Sequence, residues 1–263
     1  MKTKKSLGQH FLHSPQIIAD IVSAGKVTSG DTVVEVGPGE GTLTEALLQT
    51  GANIVSIEKD DRLIPVLEEK FRKEISSEKL RLIHGDILDF KISQKNLGVK
   101  NSYKVVANIP YYITGQIIRM FLESDYKPES MTLLVQKEVA ERIVAKDGKE
   151  SLLSLSVKVF GEPRYVRKVG RGAFSPQPNV DSAVLSVVDI SNKRLGKVAP
   201  ELFFHIIHIG FAHKRKQLIA NLSLVYDRES LIKIFTQCGI AEKARAEDLS
   251  LETWIQLCTI ISK

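Results

Sequence analysis

Asn108-Ile109-Pro110-Tyr111 places an amide, a rigid imide and an aromatic ring within four residues. It follows the apolar run Val105-Val106-Ala107, and is expected where a buried strand ends, the place where open α/β sheets hold ligands. The chemistry that fits is capture of a flat aromatic amine. The Asn side-chain oxygen and a nearby backbone carbonyl accept the two N–H bonds of an exocyclic amino group, and the Tyr ring stacks on the base. Pro110 removes a donor and stiffens the turn. An amine held this way directs its nitrogen lone pair at an electrophile. A lone Asn-x-Pro is more often a plain strand-end turn, so the reading depends on the glycine loop upstream.

Residues 33–42 read as a strand entering a Gly-rich turn and then a helix, with Gly37, Gly39 and Gly41 alternating. Glycine lets the backbone turn tightly and approach a ligand. Glu58 ends the next strand, where a carboxylate can accept from both hydroxyls of a ribose. The dinucleotide fingerprint G-x-G-x-x-G needs its third glycine one residue later. The spacing here suits S-adenosylmethionine, which has no pyrophosphate to cradle. Asp86, after a third strand, is placed to accept from an adenine amino group. Either acid alone would be an ordinary strand-end carboxylate; two at successive strand ends beside the loop favour a site. His10, in Gly8-Gln9-His10-Phe11-Leu12, has no partner ligands spaced for a metal, and the segment is expected to lid the cofactor.

These residues need an alternating scaffold. Thr32–Val36, 53–57, Leu80–His84, 104–107 and 131–135 read as buried strands, with helices at Thr42–Gln49, 62–73 and Thr114–Glu123. Such alternation predicts an α/β, Rossmann-like parallel sheet covered on both faces. Residues 154–160 and Ser182–Val188 are expected to form an antiparallel edge hairpin. A polar stretch at 191–200 marks a boundary between a 1–190 domain and a helical 191–263 domain, with helices expected at 201–222, 229–238 and Leu251–Ile261.

The 263 residues, 43% hydrophobic, suffice for one large and one small core. No apolar run is long enough to span a bilayer, and the basic N-terminus lacks the apolar segment of a secretion signal. Cys238 and Cys258 are isolated, so neither a disulfide framework nor zinc is expected, and a reducing cytoplasm fits. Residues 190–263 hold 11 Lys/Arg and 7 Asp/Glu out of a net +6 for the chain, so the positive excess concentrates there. Lys214-Arg215-Lys216, expected mid-helix, could neutralise phosphates, although such a run is more often a solvated face.

The ordered set of motifs resembles the KsgA/RsmA family of ribosomal RNA adenine dimethyltransferases. It runs from Gly8-Gln9-His10-Phe11-Leu12 through Glu35-Val36-Gly37-Pro38-Gly39, Asn108-Ile109-Pro110-Tyr111 and Gln136-Lys137-Glu138-Val139. It continues through residues 174–184, beginning Phe174-Ser175-Pro176, and ends in residues 211–218 and 245–250. The resemblance implies a methyltransferase domain with a small all-helical C-terminal RNA-binding domain. It implies S-adenosylmethionine as methyl donor and two adjacent adenines of a hairpin loop near the 3′ end of small-subunit rRNA as target, within a pre-30S or 30S particle. By the same carry-over His10, Leu12, Gly37, Gly39, Glu58, Asp86 and Asn108 line the cofactor site. Asn108, Pro110 and Tyr111 face the target base, Phe174 packs on it, and no metal is required. A cytoplasmic monomer is the matching expectation. The chain departs from the family at Glu150-Ser151, where Tyr-Gly is common. An Erm-type enzyme acting on large-subunit rRNA, an assembly factor with secondary catalysis, and a small-molecule or DNA amino-methyltransferase are the alternatives.

Overall fold

The computed structural model describes residues 10–99 and 101–262. In chain order the elements are β1 (Phe11–Leu12), α1 (Pro15–Ala24), β2 (Thr32–Val36), α2 (Thr42–Gln49), β3 (Asn53–Glu58), α3 (Ile64–Lys70), α4 (Arg72–Ser76), β4 (Leu80–His84), α5 (Gln94–Leu97), β5 (Lys104–Asn108), α6 (Thr114–Glu123) and β6 (Ser130–Gln136). There follow α7 (Lys137–Val144), α8 (Leu152–Lys158), β7 (Glu162–Val169), β8 (Phe174–Ser175), β9 (Ser182–Val188), α9 (Pro200–Gly210), α10 (Leu218–Leu222), α11 (Arg228–Cys238) and α12 (Leu251–Ile261).

The chain divides into two compact units. One holds the residues up to Ala140 together with Glu162–Ile190; the other holds Glu141–Gly161 and Ser191–Lys263. One unit gives way to the other at 190/191, and residues 141–161 fall with the C-terminal residues. In the first unit, seven strands lie in the order β4-β3-β2-β5-β6-β9-β7. The first five are parallel, and β9 and β7 are antiparallel to their neighbours. The inner strands are buried almost throughout, as near-continuous apolar runs must be when both faces are covered. Ile17, Ile18 and Ile21 of α1 and Leu43 and Leu47 of α2 belong to the core cluster with Val33 of β2 and Ile54 of β3. Each such side chain contributes about 1.5–3 kcal/mol when fully buried. From β2 the chain moves outward to β3 and β4, then returns to β5 on the other side. That reversal opens a crevice beyond the carboxyl ends of β2 and β5.

Three expectations are corrected. Residues 154–160 alternate like a strand but fold mostly as α8, because Ser151 caps the helix: its Oγ accepts from Ser154 N–H, and Ser154 Oγ accepts in return from Ser151 N–H. The edge hairpin exists, but its second strand is β7, paired with β9. The exposed Arg164, Arg167 and Lys168, Pro163, and an irregularity between Tyr165 and Arg167 blunt that edge. Secondly, the helix expected at 62–73 is split into α3 and α4 at Phe71, which is buried over Gly41. Thirdly, residues 201–222 form two helices, not one. Gly210 ends α9 beneath Trp254, and the buried Asn221 amide donates to the carbonyls of Gly210 (2.6 Å) and His213 (3.2 Å), taking acceptors a continuous helix would use. Lys214, Arg215 and Lys216 therefore sit exposed on the turn between α9 and α10. No helix of the described residues is long and apolar enough to cross a membrane.

Candidate active site

The crevice contains a cavity of about 160 Å³, lined by the ends of β2, β3 and β5, the loops after them, and His10–Leu12. Gly37, Gly39 and Gly41 all have positive φ. Two of these positions decide the wall. A Cβ at Gly41 would lie 2.5 Å from the Phe71 ring, so the start of α2 closes onto α3 only without a side chain. A Cβ at Gly37 would meet nothing within 4 Å, which leaves that backbone open to a ligand. Gly37 N–H donates to Ile57 carbonyl (2.9 Å), tying the loop to β3.

Glu58 closes β3 and is buried. Its Oε2 accepts from Gly39 N–H (3.1 Å) and its Oε1 from Asp60 N–H (2.7 Å). Burial raises its pKa above the ordinary carboxylate value, and these backbone donors partly oppose that. A carboxylate offers about four acceptor directions, so capacity for ribose hydroxyls remains. Asp86 accepts from Leu88 N–H (3.0 Å) and pairs with Lys59 at 2.5 Å. Burial opposes its ionisation, but the Lys59 and Leu88 donors outweigh it and hold the pKa below the usual value. Glu35, near the end of β2, is 1% exposed; its Oε2 accepts from Thr44 and Ser56 hydroxyls, each at 2.7 Å. Among the described residues Glu40, Glu58 and Asp86 thus line the cavity against the ammonium of Lys59, with Glu35 held toward its neutral form by burial. A cavity of this charge repels a pyrophosphate and suits a ligand with cationic centres.

Asn108 closes β5. Its Nδ2 donates to the His10 carbonyl (3.2 Å), which fixes the amide so that Oδ1 is the atom left to accept at the cavity. The His10 ring stacks on Tyr111, with centroids 5.8 Å apart and an interplanar angle of 23°. His10 Nδ1 is 2.8 Å from the Pro176 carbonyl, so Nδ1 is the protonated nitrogen that donates. Tyr111 hydroxyl bonds Ser182 Oγ at 2.5 Å. Burial raises the Tyr111 pKa, with the Ser182 bond opposing. Pro110 presents its carbonyl to Ile113 N–H (3.2 Å), closing a tight turn. β1 is held antiparallel to β8, with Phe11 opposite Ser175 and Leu12 opposite Phe174.

The structure thus brings His10, Leu12, Gly37, Gly39, Glu58, Asp86, Asn108, Pro110 and Tyr111 around one cavity. Phe174 is not among the lining residues. It is 4% exposed and packs in the core cluster with Val169 and with Leu12, which itself lines the cavity. Lys214, Arg215 and Lys216 belong to the other compact unit. Sequence reasoning missed Lys59, Ser182 and the apolar walls Ile57 and Ile87. Ile57 and Lys59 flank Glu58 at a strand end, a signal that could have found them; Ser182 had none, since it meets Tyr111 from 71 residues away.

The whole chain, residues 1–263, matches the family model described as ribosomal RNA adenine dimethylase. A ribosomal RNA small subunit methyltransferase A of Dehalococcoides mccartyi is 44% identical over 260 residues, covering 98% of this chain and 88% of the relative. One from Clostridium botulinum is 40% identical over 265 residues, covering 99% and 94%. Among solved structures, a dimethyladenosine transferase from Plasmodium falciparum superposes with a TM-score of 0.82 at 25% identity, covering 96% of this chain and 98% of that one. The 23S rRNA methyltransferase ErmE gives 0.78 at 26% identity, covering 96% and 100%.

Proposed function

The chain belongs to the ribosomal RNA adenine dimethylase family, and from that premise we propose that it dimethylates N6 of two adjacent adenines in the 3′-terminal hairpin loop of small-subunit (16S) rRNA. It is an S-adenosylmethionine-dependent rRNA adenine dimethyltransferase. The small-subunit target is favoured over an Erm-type one because relatives named for the small subunit reach 44% identity, whereas ErmE stands at 26%. We propose a pre-30S or 30S particle as the form of substrate, a cytoplasmic monomer as the form of enzyme, and an accompanying role in small-subunit assembly.

The single observation that carries the chemistry is the Asn108 amide, locked by the His10 carbonyl with its oxygen left for an amino group. When bound, S-adenosylmethionine supplies an activated methyl group on a cationic sulfur. Glu58 accepts from its ribose hydroxyls, Asp86 from its adenine amino group, and the open Gly37 backbone allows close approach. The acid-rich wall favours its positive charge. The target adenine must leave its stack to enter, and Tyr111 stacks on it. Asn108 Oδ1 accepts a hydrogen bond from one amino N–H. The Pro110 carbonyl is engaged by Ile113, so the Ile109 carbonyl is assigned the second. With both N–H bonds pinned, the lone pair points at the methyl group; placement and electrostatics do the work. The proton leaves after transfer, and no general base is needed. For the second methylation one N–H remains, and the amino group must rotate in the pocket. Lys214, Arg215 and Lys216 would meet phosphates as part of a helical RNA-binding unit.

Tritiated methyl transfer to unmethylated small subunits, large subunits and naked rRNA, run in parallel, tests this. Label is expected as dimethyladenosine on the small-subunit particle, and Asn108→Ala should lower kcat/KM on the order of 10²-fold, the scale of losing one preorganised hydrogen-bonding group. Label on large-subunit RNA would transfer the chain to the Erm type. Tight small-subunit binding without label would make it an assembly factor.

A further inference from the structure

Two tyrosines follow Pro110, and the fold treats them oppositely. Tyr111 is half-buried, bonded to Ser182 and stacked on His10. Tyr112 also lines the cavity but is 62% exposed. Its hydroxyl makes no hydrogen bond among the described residues. Of the large hydrophobic side chains most exposed among those residues, it is the one aromatic ring. A scattered exposed apolar side chain is ordinary; what sets this one apart is its mounting. The turn Tyr111–Ile113 is closed by Ile113 N–H on the Pro110 carbonyl (3.2 Å), and Ile113 is buried at 7% exposure. The ring therefore stands on fixed backbone at the rim, one residue from the tyrosine that receives the base. Leu88, also lining the cavity, is 39% exposed, so the rim presents further apolar surface to solvent.

Resting on the rRNA adenine reading above, we propose that Tyr112 is the stacking platform for the nucleotide adjoining the target adenine. A base drawn out of its stack leaves its neighbour with one face uncovered. An exposed ring at the pocket mouth covers that face, and such stacking is tolerant of base identity because every base has a π-face. With two adjacent adenines as substrate, whichever is outside the pocket occupies the ring. One platform then serves both rounds of modification.

The test uses an unmethylated small-subunit particle rebuilt with 2-aminopurine at one adenine of the pair, the other adenine left intact. 2-Aminopurine lacks the amino group at position 6, cannot be methylated there, and loses fluorescence when stacked on an aromatic ring. Wild-type enzyme is expected to quench it, and Tyr112→Ala is not. On all-adenine particles Tyr112→Ala should raise KM for the particle about 30-fold, the middle of the range for one stacked base, with Tyr112→Phe and Tyr112→Trp near wild type. Circular dichroism and S-adenosylmethionine titration establish that each variant folds and holds its cofactor. Equal quenching by wild type and Tyr112→Ala would overturn the platform. So would Tyr112→Leu performing as well as Tyr112→Phe, since a greasy contact alone would then suffice. A wild type that methylates no small subunit would remove the reading and the platform together; one that methylates while these variants behave alike removes the platform only.

Discussion

Glu35 holds one oxygen in two hydroxyl hydrogen bonds, while its Oε1 is buried without a partner among the described residues. Burial pushes its pKa up to about 7, the Ser56 and Thr44 hydroxyls opposing and the nearby Glu58 charge adding to the rise. The sign follows from proton counting. Between the unfolded value of 4.5 and about 7 the folded protein binds more protons at this site, so rising pH costs stability across that window and the cost is complete above it. That difference corresponds to about 3 kcal/mol. Glu35→Gln keeps the shape and removes the titration, so the stability of this variant relative to wild type should improve by up to that amount between pH 5 and pH 8. Urea unfolding at both pH values measures it; an unchanged gap would mean that Glu35 ionises normally. At this scale the sequence was half legible. Strand-end acids and the Asn-Ile-Pro-Tyr run are local and could be read. The orientation of the Asn108 amide could not, because it is set by a carbonyl 98 residues away.

At the scale of elements, the parallel strands were readable because burial on both faces demands unbroken apolar runs. The misreadings arose where a few polar contacts overrode periodicity. Leu153, Leu155 and Val157 alternate as in a strand, yet the Ser151–Ser154 cap turns them into a helix. The apolar spacing after Glu201 continues past Gly210, yet Asn221 and Trp254 stop the helix there. Phe174 stands opposite Leu12 in the β1–β8 pair and packs in the core cluster, a placement no local periodicity shows. Gly210→Ala tests the break directly. A Cβ at this position would lie 2.4 Å from Trp254 Cη2, and overpacking of this kind costs about 1–3 kcal/mol. Denaturant unfolding followed by the fluorescence of Trp254, the single tryptophan, should show a lower midpoint. Methyl donor binding, which belongs to the other compact unit, should persist.

For the whole molecule, a net charge of +6 sets how RNA is met at a distance. With Lys214, Arg215 and Lys216 exposed on one turn, replacing all three by Ala should weaken particle binding and flatten its salt dependence. The slope of log affinity against log salt should fall by about 2 to 3 if each meets one phosphate; an unchanged slope would assign them to the solvated face. The β1–β8 pairing has a temporal consequence. Among the described residues, those lining the cavity lie between positions 10 and 113, so the pocket wall is encoded early in the chain. Its fastenings come late: His10 waits for Pro176 and Tyr111 for Ser182. Long-range closure of this kind bears the loop entropy before any reward and is slow. A nascent chain paused after α6 therefore has the sequence of the pocket without its clasp, and methyl transfer competence arrives only when the edge hairpin has been synthesised.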